Sequence, residues 1–363
     1  MTRPHRDTVI IGTGCAIPPV VVPNSAFADR CFYLDYGQEV EPEDRDSVVE
    51  KFRQITDINE RRWAADNQVA SDLAAEAARR AVDDAAIDPE SLDYLIVAHN
   101  FGDIAAGNLF PDLVPSLAAR VKQKLAIANP SCIAYDLPFG CPGWLQGVIQ
   151  SHYFLASGDA TRALVIGAET LSRVSDPHDR DSMIYADGAG ATVLEARESS
   201  EPSGILAHAM RSDAIDHARL MWMGPSYKPG HAPGRLFIKM EGRKLYEYAL
   251  SHVPGLVKKC LDRAGLHLSD VKKVFLHQAN AKMDEAIVIR LFRLYRAGRP
   301  DLASVMPMAI SRLGNSSVAT IPTLLDLVRR GELEGHELHP GDVVVFASVG
   351  AGMNINSVVY RWV

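Results

Sequence analysis

Apolar and polar positions follow two rhythms along this chain. Short runs that are apolar at every position recur, among them YLIVA (94–98), ALVIG (163–167), VFL (274–276) and VVVFA (343–347). Between them lie longer stretches in which apolar residues return every three or four positions, such as GWLQGVIQSHYFLASGD (143–159). The first rhythm marks strands buried on both faces, and the second marks helices with a buried side. Short strands alternating with helices predict an α/β protein whose sheets are mostly parallel and covered by helices.

The same order of elements occurs twice. AVDDAAIDPESLDYLIVA (81–98) aligns without a gap on CLDRAGLHLSDVKKVFLH (260–277), each a helix end, a turn and a buried strand. The helix expected over Trp144–Ala156 leads through Ser-Gly-Asp (157–159) to a strand over Ala163–Gly167. The run Ser317–Arg330 leads, after a longer loop with Pro-Gly-Asp (340–342), to a strand over Val343–Ala347. Gly188-Ala189-Gly190 is echoed by Gly350-Ala351-Gly352, each opening the last β-rich segment of its half. The pattern predicts a duplicated α/β unit, residues 1–200 and 201–363, joined near ESSEPSG (198–204).

Composition narrows the function classes. At 363 residues the chain can bury two cores or one large fused core. Its 38 basic and 45 acidic residues leave a net charge of −7, which argues against a nucleic-acid binder. Cys15, Cys31, Cys132, Cys141 and Cys260 are odd in number, widely spaced and without a C-x-x-C pair. They fit reduced thiols in a cytoplasmic protein, not a disulfide framework or a structural zinc site. The apolar stretch near the N-terminus is broken by glycines and prolines, so neither a signal peptide nor a membrane span is expected. His178, His208 and His217 lack metal-ligand spacing, and no metal is expected.

Within this frame LPFGCPGW (137–144) has a nucleophile's address. Pro142 suits the first position of a helix, which places Cys141 at the N-cap, where unpaired amides and the helix dipole favour a thiolate. If the halves are related by a pseudo-twofold axis, Asn315 in RLGNSS takes the place in the second half that Cys141 takes in the first. His277 ends the strand that matches the one ending at Ala98. Ligands bind beyond the carboxyl ends of strands in open α/β sheets, so Cys141, His277 and Asn315 are expected to converge. Taken singly, each has a plainer reading as a buried apolar thiol, a satisfied core histidine or a turn residue.

Six runs, IIGTGCAIPP (10–19), ITDINERR (55–62), FGCPGW (139–144), DPHDRDSMIYADGAGATVL (176–194), HQAN (277–280) and GNSSVATIP (314–322), together resemble the ketoacyl-acyl-carrier-protein synthase III family of condensing enzymes. The resemblance implies the thiolase fold, a duplicated βαβαβαββ unit in a five-layered α/β/α/β/α core, normally a homodimer. It implies a Cys141–His277–Asn315 triad and an oxyanion hole from the backbone amides of Cys141 and Ala351, the latter where family members usually have glycine. In that chemistry Cys141 accepts an acyl group from a thioester. A malonyl-type extender then loses carbon dioxide beside His277 and Asn315, and its carbanion attacks the acyl group to leave a β-ketoacyl thioester. Acyl-coenzyme A or acyl carrier protein would be the substrate thioester, with no further cofactor.

Two departures bear on the substrate. Arg180 fits the family's arginine over the coenzyme A adenine, but Lys51 stands where its stacking tryptophan is expected, and Trp63 is the nearby substitute. Val114 stands where many members place a bulky aromatic at the end of the partner subunit's acyl pocket, which implies room for a longer or branched acyl chain. HNFGD, LVPSLAARVK, FGCPGW and SDPHDRDSMIY further resemble the branch that includes dialkylresorcinol-forming ketosynthases, which join two fatty-acyl-derived thioesters and cyclise the product. Lys282 resembles the family's carrier-protein docking position, and Arg290, Arg293, Arg296 and Arg299 follow along one expected helix, interrupted by Asp284 and Glu285. Among other classes, Gly12 and Gly14 lack the third glycine of a dinucleotide fingerprint, because Ile17 stands there. VGAGM lacks the second cysteine of a degradative thiolase. A non-enzyme alternative, a silent partner subunit of another ketosynthase, is opposed by the intact Cys141, His277 and Asn315.

Overall fold

The computed structural model describes residues 6–35, 37–41, 45–108, 110–199 and 201–363, apart from the side chains of residues 35, 45 and 46. In the first half, β1 (Arg6–Ala16), β2 (Tyr94–His99), β3 (Ile133–Pro138), β4 (Arg162–Thr170) and β5 (Asp187–Glu198) form a sheet in the order β1-β5-β4-β2-β3. β2 runs parallel to β3 and β4, and β5 runs antiparallel to β4 and β1. In the second half, β6 (Gly204–Ser212), β7 (Val271–Leu276), β8 (Val343–Gly350) and β9 (Asn354–Arg361) take the order β6-β9-β8-β7. β7 and β8 are parallel, and β9 is antiparallel to β8 and β6. Exchanging β1, β5, β4 and β2 for β6, β9, β8 and β7 turns one order into the other, and β3 is the strand without a counterpart in the second sheet.

Alternation along the strands sends side chains to two different layers. Helices α1 (Ala70–Ala85), α2 (Leu117–Lys124), α3 (Gly143–Ser157), α4 (Gly242–Arg263), α5 (Ala281–Leu294) and α6 (Thr320–Arg329) fill them. Leu164 and Ile166 of β4 pack with Leu73 of α1 and Val121 of α2 on one outer face. Val345 and Ala347 of β8 pack with Val257 of α4 and Ile287 of α5 on the other. The intervening residues, Val165 of β4 and Val344 and Phe346 of β8, point inward onto Trp144 and Val148 of α3 and Leu324 and Val328 of α6. The result is five alternating layers, α/β/α/β/α, with α3 and α6 shared between the sheets.

The strands outrun the apolar rhythm where polar residues are buried. β4 continues beyond Gly167 to Thr170 because Glu169, 1% exposed, keeps its place in the ladder opposite Gly188. β8 likewise runs to Gly350 through the buried Ser348. The run expected from Ser317 begins as a 3₁₀ turn over Ser317–Ala319 before α6. Among the described residues no helix is long and apolar enough to cross a membrane.

Candidate active site

Two loops meet at the amino end of α3. After β3 the chain turns through Gly140 (φ 73°) and Cys141, and the N-cap of α3 is Pro142. The cap is therefore one residue later than expected, Cys141 lies just outside it, and no side chain caps this helix. At the end of β8, Gly350 packs on the same turn: a Cβ there would stand 2.7 Å from the Cys141 nitrogen. A Cβ at Gly140 would stand 3.1 Å from the Ala351 nitrogen. Only glycine permits both approaches, and they bring the backbone amides of Cys141 and Ala351 into neighbouring turns.

The thiol differs from the sequence expectation. Burial pushes Cys141 up to about 11, a hydrogen bond from Ser317 acting against it and the nearby Glu169 with it. A low-dielectric site disfavours the charged form, and Glu169 adds to that, so a resting thiolate is not favoured. His277 follows β7, 5% exposed, with its N–H donating to the Ala347 carbonyl at 3.0 Å. Burial lowers its imidazole to about 4, opposed by a hydrogen bond with the Ser317 backbone, and its Nδ1 is buried without a partner. Asn315 is clamped by its backbone, its N–H donating to Ile184 O at 3.0 Å and its carbonyl accepting from Ala186 N at 2.8 Å. Its Oδ1 accepts the Ser317 N–H at 2.7 Å, which orients the amide and leaves Nδ2 as the donor side.

Three residues of this centre were not singled out in the sequence, although Ser317 and Asn100 lie within family-like runs. Ser317, held at φ 52°, donates its Oγ–H to Cys141 Sγ at 3.2 Å. Asn100, just after β2, donates Nδ2–H to Ser317 Oγ at 3.0 Å and also to Glu169 Oε1, which accepts the Asn100 backbone N–H at 2.6 Å as well. Burial pushes Glu169 up to about 7. Each is an ordinary polar residue in its own segment, and only the tertiary fold joins positions 100, 141, 169 and 317.

Cys141, Asn315, Ser317 and Ala351 line a cavity of about 210 Å³ whose remaining walls include Phe101, Leu171, Met221 and Ile238. His277 is not part of this lining and adjoins it through the Ser317 backbone. A larger groove of about 830 Å³ contains Lys51 and Arg180, and Trp222 lines both spaces. Trp222 is thus an aromatic at the junction that the sequence reading missed. Trp63 does not take the place of a groove aromatic. Its Nε1–H donates to Tyr185 O at 3.1 Å, its ring meets Phe27 edge-on, and it lines a separate pocket with Arg30. Arg61 of ITDINERR is fully buried, with guanidinium hydrogen bonds to Met183 O, Val22 O and Asn24 Oδ1, so it ties the segments around the groove together.

The remaining expected residues lie on the surface. Val114 is 85% exposed and stands outside the cavity of its own chain. Lys282, Arg290 and Arg293 are exposed on α5. At about 100° per residue, Lys282 and Arg293 face within about 20° of each other and Arg290 is about 80° away. Arg296 and Arg299 fall beyond the end of α5 at Leu294, so they do not continue the helical row. Asp284 does not interrupt the patch either. It is fully buried, both its carboxylate oxygens lack partners, and burial raises it well above the carboxylate range. Among the described residues no cluster of three or more potential metal ligands occurs.

Two sheets doubled about a shared helical layer, with a cysteine from one half facing an asparagine from the other, define a condensing acyltransferase of the thiolase fold. Residues 135–214 match the family 3-oxoacyl-[acyl-carrier-protein (ACP)] synthase III, and residues 261–362 match its C-terminal part. Over 356 residues the chain is 34% identical to the beta-ketoacyl-[acyl-carrier-protein] synthase III of Erythrobacter litoralis, covering 97% of this chain and 98% of the relative. The chain belongs to the β-ketoacyl-[acyl-carrier-protein] synthase III family. The 3-oxoacyl-[acyl-carrier-protein] synthase III structure from Aquifex aeolicus VF5 superposes with a TM-score of 0.77 at 28% identity, over 98% of this chain and 100% of that one. The priming β-ketosynthase of the R1128 polyketide pathway shares the fold, with a TM-score of 0.81 at 24% identity over 100% and 98% of the two chains. These relatives do not favour the dialkylresorcinol reading or that of a silent subunit.

Proposed function

We propose that Cys141 accepts the acyl group and that His277 and Asn315 serve the extender, in fatty-acid or specialised lipid and polyketide synthesis. The observation that carries this reading is the single apolar cavity onto which Cys141, Asn315 and Ala351 open. In the first step Cys141 Sγ attacks the thioester carbonyl, the amides of Cys141 and Ala351 hold the oxyanion, and the donor thiol leaves with the proton of Cys141. In the second, a malonyl-type thioester loses carbon dioxide. Its enolate oxygen accepts from Asn315 Nδ2–H and from the one N–H of the His277 imidazole, which burial keeps neutral at pH 7 and which turns to the extender from its hydrogen bond with the Ser317 backbone. The carbanion then attacks the acyl carbon, and the β-ketoacyl thioester leaves Cys141 free. Nothing in these steps requires a metal or a further cofactor.

Lys51 at the position expected for a stacking tryptophan, and exposed Lys282, Arg290 and Arg293 on α5, support an acidic acyl carrier protein as the preferred donor over acyl-coenzyme A, although Trp222 also lines the groove. Phe110, Leu113 and Val114 are 68%, 49% and 85% exposed, and β3 is an edge strand, which supports a homodimer in which Val114 reaches the partner's acyl pocket. Five unpaired cysteines suit the cytoplasm. The test is peptide mapping after exposure to acyl-carrier-protein donors. The added mass is expected on the Cys141 peptide and absent from Cys141→Ala, while His277→Ala and Asn315→Ala still acylate but lose malonyl decarboxylation. Acyl label retained by Cys141→Ala would overturn the reading.

A further inference from the structure

We infer that Ser317 is a catalytic residue of the acylation step, its hydroxyl being the donor that meets the Cys141 thiolate, and that Asn100 and Glu169 are positioning residues that hold it to that task. This rests on Cys141 being the acylated nucleophile. Directionality carries the argument. The two hydrogens of the Asn100 amide go to Glu169 Oε1 and to Ser317 Oγ. An amide nitrogen donates and does not accept, so Asn100 occupies a lone pair of Ser317 and leaves the hydroxyl hydrogen for Cys141 Sγ, 3.2 Å away. Were Asn100 flipped, its carbonyl oxygen would face the Glu169 carboxyl, so Glu169 sets the orientation of the whole chain.

The Ser317 backbone is held as firmly. A φ of 52° is unfavourable for serine, and the hydrogen bond from its N–H to Asn315 Oδ1 at 2.7 Å helps to fix it. The hydroxyl favours one side of the reaction. A thiolate is a strong acceptor, whereas the sulfur of the thioester that forms is neutral and a poor one. As the new Sγ–C bond forms, the donor's C–S bond breaks and the departing thiol takes up the proton, the contact weakens, so Ser317 stabilises the attacking species more than the acyl enzyme. Glu169 acts with two opposite signs. Its Oε1 organises Asn100, while its charge, when present, opposes the thiolate. His99, Asp187 and Cys141 are the titratable groups that act on this carboxyl.

The test is the pH dependence of Cys141 alkylation by iodoacetamide, read by peptide mapping, together with the rate of acylation from an acyl-carrier-protein donor. Ser317→Gly suits the left-handed backbone, so its melting temperature should be unchanged or higher. Its alkylation midpoint should rise by about one pH unit and its acylation slow about tenfold. Ser317→Ala should show the same kinetics with lower stability. Glu169→Gln keeps the acceptor and removes the charge, so its midpoint should fall. Asn100→Leu should raise the midpoint, and adding Ser317→Gly to it should change little more, because both remove one chain. An unaltered midpoint in Ser317→Gly, or fully additive effects of the two variants, would overturn the inference. Failure of the wild-type protein to acylate Cys141 would end the reading of the nucleophile, which the alkylation measurement does not assume.

Discussion

At Cys141 and His277 burial outweighs every neighbouring charge, and it moves the two groups apart. The thiol is pushed up to about 11 and the imidazole down to about 4, so the resting pair is a thiol and a neutral imidazole. In the proposed mechanism decarboxylation uses the neutral imidazole, which persists above about 4 and is lost below it. Malonyl decarboxylation by Cys141→Ala should therefore stay flat from about pH 5 to 8, with its acid limb near 4. A bend near the ordinary histidine value of about 6.5 in the measured pH profile would contradict this assignment. Cys141, His277 and Asn315 could be singled out because turn-forming glycines and the internal repeat placed them at matching strand and helix ends, and the fold brings Cys141 and Asn315 onto one cavity with His277 adjoining it. The thiol's character was not legible, since a protonation balance depends on desolvation by walls that come from distant segments. Ser317, Asn100 and Glu169 escaped notice for the same reason.

Among the elements, α3 shows how packing and chemistry are shared. It is buried between two sheets, and Trp144 in its first turn is 1% exposed, edge-on to Phe346 of β8 with ring centroids 6.0 Å apart. Trp144→Ala should cost about 3–5 kcal/mol in urea unfolding, the usual range for an aromatic cavity. Its indole Nε1 is buried without a partner, so Trp144→Phe, which deletes that group, should stay within about 1 kcal/mol of the parent. A loss in the phenylalanine variant well beyond the cavity cost of its smaller ring would show that the indole nitrogen is satisfied. Elements of this kind were the most legible part of the fold, because a run such as VVVFA has no other way to bury itself. Their ends were harder to read. β4 reaches Thr170 through a buried acid, and the arginine row stops being helical after Leu294, where spacing alone does not mark the end.

The whole molecule carries a net charge of −7, so any attraction for an acidic partner must be local. In the proposed docking, Lys282 and Arg293 on one side of α5 supply it. Lys282→Glu should raise the apparent KM for an acyl-carrier-protein donor several-fold and leave a small pantetheine thioester nearly unaffected. The gap should close as salt rises, because exposed charges are screened over about 8–10 Å near physiological ionic strength. Steady-state kinetics with both donors at two salt concentrations check this, and equal losses on both would mean that Lys282 acts inside the site. The doubling was legible in the chain, because aligned segments repeat one order of elements, and the two sheet orders match strand for strand apart from β3. A role for Val114 was not legible, since it is exposed and does not line the cavity of its own chain.

The pairing at the join between the halves has a topological consequence. Arg6 at the start of β1 sits opposite Glu198, and Arg361 at the end of β9 sits opposite Gly204. Ser203 donates to Asp7, and Arg361 Nη1–H donates to the Pro202 carbonyl at 2.9 Å. The outer ends of the two sheets and the segment that links them therefore gather at one place. A circularly permuted chain, opened at that link and closed across the outer ends, would preserve every strand pairing and the shared α3–α6 layer. The order in which the halves are strung is thus a property of the gene and not of the architecture.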